Sequence, residues 1–144
     1  MSRSPATPAA PVGTPLAEVE CLRLLARASV GRVVYTVGAL PAVLPVRYHL
    51  GVDASVLFRA PAGSELVRAV SGALVAFEVG ELSGADGSGW SVTVLGRADL
   101  ADDPPHAPAE DVMPHPGEEP GRVWIRIRPE LVTGHRLAET AAPG

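Results

Sequence analysis

With 144 residues and a net charge of −4, the sequence is long enough for one domain and too short for two ordinary ones. A chain of this size buries roughly 68–70% of its unfolded surface, so it can hold a core without disulfides. All twelve basic residues are arginine. The absence of lysine excludes a Schiff-base enzyme and an ordinary P-loop, and leaves any bound anion to arginine, whose planar fork suits phosphate. The acidic balance and the lack of a basic cluster argue against a nucleic-acid binder. Cys21 is the single thiol, which suits a reducing compartment such as the cytoplasm. No stretch approaches the ~18–20 apolar residues that span a bilayer, so no membrane association is expected.

Residues 1–13, rich in Ser, Pro and Ala, read as a disordered arm with neither a secretory signal nor an anchor. Thr14-Pro15 has the form of a helix start, a capping hydroxyl before proline at the first helical position. Over Leu16–Ala28, Leu16, Val19, Leu22 and Leu25 recur at helical spacing, and Cys21 reads as an inert apolar member of that helix.

From Val30 the pattern changes to short strands and tight turns. Strands are expected over Val30–Val37, Ala42–Leu50 and Ser55–Ala60, separated by glycine- and proline-bearing turns. Ser64–Val70 reads as a short helix with Ser64 as its N-cap and Glu65 in its first turn. Further strands follow over Ala73–Leu82 and Trp90–Leu100, with a glycine-rich turn at Ser83–Gly89. Arg122–Arg128 alternates, with Val123, Ile125 and Ile127 on one face and Arg122, Trp124, Arg126 and Arg128 on the other. The connections before Ala60 are too short for parallel crossovers. The fold class is therefore mainly β with two short helices, an antiparallel barrel or sandwich over residues 14–137. The acidic, proline-rich stretch from Ala101 to Gly121 reads as a disordered loop, and residues 138–144 as a disordered tail.

Several chemistries can be sought and do not match. Gly87-Ser88-Gly89 lacks the spacing of a hydrolase elbow and precedes a strand. No Gly-x-Gly-x-x-Gly opens a helix. His106, Asp111 and His115 fall in the acidic loop without the spacing of a zinc site, so no metal is expected. His49 and His135 stand alone in sequence. What remains is a set of polar residues in strand order: Arg47 and Tyr48 after Pro45-Val46, Arg59 near the end of the next strand, Ser64 at a helix start, and Trp90-Ser91 further on.

That order resembles the FMN-binding split barrel of the pyridoxamine 5'-phosphate oxidase-like family. The resemblance is carried by Val30-Gly31-Arg32-Val33-Val34-Tyr35, Leu44-Pro45-Val46-Arg47-Tyr48, the run from Val56 to Leu66, Val75–Val79, Gly89–Ala98, and the tail Pro129–Leu137. It implies an antiparallel split β-barrel and a homodimer with FMN at its interface. By matching position, Pro45, Val46, Arg47 and Tyr48 line the flavin ring. Arg59, Ala60 and Ser64 hold the phosphate with Glu65 beside it, and Trp90 and Ser91 stand nearby. The implied activity is a flavin-dependent oxidoreduction on a small substrate. A deazaflavin-type cofactor on the same barrel, or a non-catalytic flavin-binding or ligand-free dimer, remain the alternatives.

Overall fold

A computed structural model describes residues 13–101 and 121–137. The readings of residues 1–12, 102–120 and 138–144, with His106, Asp111 and His115 among them, lie outside the described residues. In chain order the elements are β1 (Thr14–Pro15), α1 (Glu18–Arg27), β2 (Val30–Val37), β3 (Leu40–Arg47), β4 (His49–Leu50) and β5 (Val56–Pro61). After these come α2 (Glu65–Val70), β6 (Leu74–Leu82), β7 (Gly89–Ala101) and β8 (Arg122–Leu137). The strands form one sheet in the order β3-β2-β6-β7-β8-β5-β4, with β1 alongside β8, and every described pairing is antiparallel. The sheet curls until β3 lies against β5, which gives a split barrel.

Alternation fills the interior. Val33, Phe77, Val79, Val92, Val94, Ile125 and Ile127 point inward from four strands and are buried. Tyr48 stands edge-on to Phe77, with ring centroids 4.8 Å apart at 71°. Gly31 is required here, because a Cβ at that position would collide with the Phe77 ring. The two-residue turn Gly38-Ala39 between β2 and β3 uses a second glycine at φ 63°, in the left-handed region.

Three elements depart from the sequence reading. Thr14-Pro15 does not open a helix; it pairs with His135 and Arg136 of β8. The Leu16 amide then donates to the Gly134 carbonyl at 2.9 Å, and α1 begins only at Glu18 behind an extended Ala17 with no side-chain cap. Proline's fixed φ serves an extended edge as well as a helix start. The buried stripe of α1 is Cys21, Leu24 and Leu25, while Val19 is 65% exposed. Cys21 is fully buried and its thiol is pushed above the usual range, chiefly by desolvation.

The strand expected over Ala42–Leu50 is two strands. At Tyr48 the chain leaves β2 and joins β5: the Tyr48 amide donates to the Ser29 carbonyl at 3.0 Å, and His49 pairs with Leu57. The last strand, expected to stop at Arg128, runs on to Leu137 despite Pro129. A bulge absorbs the proline, with Gly96 opposite Pro129 and Leu95 opposite Leu131, so Glu130 is the extra residue. The bulge also changes which residues face inward, from the odd positions Ile125 and Ile127 to the even positions Val132 and Gly134.

The β4–β5 turn holds one residue in a costly conformation. Ala54 sits at φ 66°, between the Ala54 amide bonded to the Gly51 carbonyl at 3.0 Å and the Gly51 amide bonded to the Ser55 carbonyl at 2.8 Å. A left-handed backbone costs a Cβ-bearing residue about 1–2 kcal/mol, and glycine's extra unfolded freedom returns about 0.5–1 kcal/mol of that. Ala54→Gly is therefore expected to raise the melting temperature by about 1–4 °C. Calorimetry checks this, and an unchanged or lower value shows that the turn relaxes around Ala54.

Candidate functional site

A cleft of about 730 Å³ opens where β3 meets β5, within the size range of cofactor pockets. One wall is the segment Leu44-Pro45-Val46-Arg47 of β3. Six of the eight β3 residues are exposed although seven of the eight are apolar or proline. The opposite wall is β5 from Phe58 to Pro61, with Arg122 and Trp124 of β8 beside it. Ser64 and Leu66, from the start of α2, and His49 of β4 complete the lining.

Strand register explains why these side chains meet. Arg59 pairs with Trp124, and Pro61 with Arg122, so Arg59, Trp124 and Arg122 share one face of the β5–β8 pair. Neighbours on one face of a sheet stand close enough for long side chains to touch. The Arg59 guanidinium carbon lies 5.5 Å from the centre of the Trp124 ring, a cation–π contact. The His49 ring is 6.5 Å from Trp124 and tilted by 57°. Trp124 was read as an outward residue of an alternating strand. Its parity agrees, yet it is buried at 6% exposure, because the outer side of β8 here is a cleft wall.

The lining carries three guanidiniums, Arg47, Arg59 and Arg122, one imidazole, and no carboxylate among the described residues. Low local dielectric strengthens the attraction of such a set for an anion. Ser64 is the N-cap of α2: its Oγ accepts from the Val67 amide at 3.3 Å. That bond occupies one of the first amides of α2, and at six residues α2 is too short to add much of a dipole.

Of the ten residues singled out in the sequence, Pro45, Val46, Arg47, Arg59, Ala60 and Ser64 line this cleft. The other four are placed elsewhere. Tyr48 is buried in the core, where its hydroxyl donates to the Leu25 carbonyl at 2.5 Å and desolvation pushes its pKa up to about 12. Glu65 is an exposed residue in the first turn of α2, outside the lining. Trp90 packs against the core, opposite Glu81 and Arg136. The Ser91 hydroxyl donates to Glu78 Oε2 at 3.1 Å, and the Arg32 guanidinium pairs with the other oxygen of that carboxylate. Sequence reasoning missed His49, Trp124 and Arg122. The signal for Trp124 and Arg122 was only a basic and aromatic face on the last strand, and His49, on β4, gave none.

The outer face of the barrel carries a second feature. Val43, Val34, Ala76, Leu95 and Leu131 are successive cross-strand partners on β3, β2, β6, β7 and β8. They make one apolar row across five strands. Val43 is 58%, Leu95 37% and Leu131 52% exposed. Leu44 and Pro45 carry this apolar surface on into the cleft.

Among the described residues no three His, Cys, Asp or Glu side chains come together as a metal site would require, and no helix is long and apolar enough to cross a membrane.

Known proteins share the sequence pattern and the fold. Residues 17–136 match the sequence family described as pyridoxamine 5'-phosphate oxidase. An uncharacterised protein of Mycobacterium tuberculosis, Rv0080, is 37% identical over 131 residues, which is 86% of either chain. The solved structure of the FAD-binding protein from Mycobacterium smegmatis superposes with a TM-score of 0.68 at 30% identity, over 87% of this chain and 98% of that one. An FAD-binding protein from Mesorhizobium loti, at 22% identity, shares the fold with a TM-score of 0.65 over 86% of this chain and 97% of its own. The chain belongs to the pyridoxamine 5'-phosphate oxidase family and carries the split-barrel fold of its flavin-binding members.

Proposed function

We propose that the protein is a cytoplasmic flavin-binding homodimer, with an oxidoreductase activity carried by the flavin in the β3–β5 cleft. The observation that carries the reading is the cleft itself. An apolar strand wall at Leu44–Val46 faces a guanidinium held against an indole, which is the pairing that a flat ring with a phosphate tail requires. The name of the Mycobacterium smegmatis relative, an FAD-binding protein at 30% identity, supports a flavin here. FMN is the smallest flavin that meets these groups, and its single phosphate would rest on Arg59.

The residues fit that cofactor in distinct roles. Pro45 and Val46 offer the ring an apolar surface, and Arg47 places a positive charge at its edge. Arg59 would take the phosphate, with the Ser64 hydroxyl still able to donate. When bound, the flavin supplies hydride transfer, while the chain binds it, orients it and keeps water from one face. No described carboxylate in the lining opposes the phosphate. The test is a spectrum: protein mixed with FMN or FAD and then desalted is expected to keep the absorption bands of bound flavin, and a colourless product overturns the reading.

The homodimer rests on the apolar row. One barrel leaves Val43, Leu95 and Leu131 in water, and large apolar patches on soluble proteins mark association sites. A two-fold axis would bring the same row of a second copy onto it and close the open side of the cleft beside Leu44 and Pro45. Sedimentation at micromolar concentration is expected to give twice the chain mass. Val43→Asp, which sets a charge in the middle of the contact, is expected to give single chains that no longer retain flavin. A wild-type monomer would sink the proposal.

A further inference from the structure

We propose that Tyr48, which does not itself line the cleft, is a positioning residue for it. The bond from its hydroxyl to the Leu25 carbonyl fixes where β3 passes into β4, and so sets Arg47 on one wall against His49 on the other. The inference rests on the flavin reading only in its choice of probe ligand.

The crossover is one residue long. β3 ends at Arg47 and β4 begins at His49, and the two strands lie at opposite ends of the sheet, β3 beside β2 and β4 beside β5. Successive side chains of an extended chain point to opposite faces. With the Tyr48 ring turned into the core, Arg47 and His49 both turn outward, and both line the cleft. Arg47 stands on the β3 wall. His49 pairs with Leu57 and so shares the face that carries Arg59 and Trp124. The two walls are therefore joined through a single residue that lies behind both.

Three contacts hold that residue. Its amide donates to the Ser29 carbonyl at 3.0 Å. Its ring meets Phe77 edge-on. Its hydroxyl donates to the Leu25 carbonyl at 2.5 Å. Leu25 is a buried residue in the last turn of α1, where helix geometry leaves carbonyls without a partner, so the phenol caps that end of the helix. Packing alone does not call for this hydroxyl, because a phenylalanine fills the same space and a buried hydroxyl is costly unless it is bonded. A phenylalanine would keep the first two contacts and lose the tie to α1. The ring could then tilt on Phe77, and the strand ends on either side of it would turn with it. Binding sites whose supports are loose by about 1 Å lose much of their function.

The experiment compares the wild-type chain with Tyr48→Phe, which removes only the hydroxyl, and with Val92→Ala, a core change on β7 that lines no part of the cleft. Both are expected to melt several degrees below wild type. FMN, followed by its fluorescence, is expected to bind Tyr48→Phe about fivefold to tenfold more weakly, and Val92→Ala within about twofold of wild type. Arg47→Ala should weaken FMN about tenfold in the wild-type background and less than about threefold in the Tyr48→Phe background, because a guanidinium already displaced has less to lose. Without any ligand, the NMR signal of the His49 imidazole, assigned by its absence from His49→Gln, should shift in Tyr48→Phe and stay in place in Val92→Ala. Equal losses of affinity in Tyr48→Phe and Val92→Ala, or an Arg47→Ala effect of one size in both backgrounds, reduce Tyr48 to a core residue and overturn the inference. If FMN binds none of these chains, the flavin reading falls and the His49 signal decides alone: a shift upholds the role of Tyr48, and an unmoved signal overturns it. Should Tyr48→Phe fail to fold, the wild-type chain labelled with fluorotyrosine decides instead. Of its two fluorine signals, Tyr35 and Tyr48, that of Tyr48 should move when FMN is added, and a fixed signal overturns the inference.

Discussion

Arg59→Ala is expected to weaken flavin binding by about tenfold to a hundredfold. Hydrogen bonds to a charged group contribute about 1.5–3 kcal/mol, and each decade of affinity is about 1.4 kcal/mol. The guanidinium is already positioned, because it lies over Trp124 at 5.5 Å, so little side-chain freedom is lost when an anion arrives. Trp124→Leu should reproduce part of the loss without touching the charge, since a cation–π contact contributes about 0.5–2 kcal/mol. Trp124→Phe should recover much of it. Glu65→Lys lies outside the lining, and a screened surface charge should change the dissociation constant by no more than about threefold. Flavin fluorescence titrations of the four variants decide. If Arg59→Ala lowers the melting temperature and leaves the affinity alone, Arg59 only supports Trp124.

The largest effect on stability is expected from Phe77→Ala, at about 3–5 kcal/mol. The ring is fully buried, Tyr48 meets it edge-on, and Gly31 exists in its present form only to leave it room. A loss of that size is a large fraction of the 5–15 kcal/mol that holds an ordinary domain together, and it should lower the melting temperature by on the order of 10 °C or more. Gly31→Ala should cost about 1–3 kcal/mol by overpacking. In combination with Phe77→Leu, the two substitutions should cost less than their sum, because the shorter side chain vacates the space that the new methyl needs. Calorimetry on the single and double variants measures the coupling. Additive losses would show that the backbone of β2 moves instead of the ring.

How much of this was legible depended on whether a residue's neighbours were local. β2 was read with its observed ends, because turn residues bracket an unbroken β-rich run. Pro45, Val46, Arg47, Arg59 and Ala60 were placed by strand order, and the cleft gathers them. Tyr48 was placed with them because it follows Arg47. Nothing in the sequence shows that the chain changes partner strand at that residue and turns the phenol toward the Leu25 carbonyl. Pro129 concealed the second half of β8, since a proline in a central strand reads as its end until a bulge is seen opposite it. His49 looked isolated for a similar reason. Its neighbours Arg59 and Trp124 are remote in sequence and meet it only through the β4–β5–β8 register. Of the apolar stripe read for α1, Leu16, Leu22 and Leu25 do pack on the core, whereas Val19 is exposed and Leu24 takes its place, because apolar spacing alone does not say which face of a helix the sheet will cover.

The two prolines of β3 have a consequence for how the molecule can fail. β3 ends the sheet, and an apolar strand at a sheet edge is ordinarily a template for fibril growth. Pro41 and Pro45 are paired with Thr36 and Arg32 of β2, and with no amide hydrogen they belong at positions whose bonding direction is outward. Positions 41, 43, 45 and 47 share that direction, so two of the four outward donors are missing. A stranger strand therefore cannot zip along β3, however greasy its surface. Under heat or crowding the protein should lose solubility through amorphous clumping of side-chain faces, with thioflavin T remaining dark. Pro45→Thr, by restoring one donor, is the change that would open the edge to ordered fibrils.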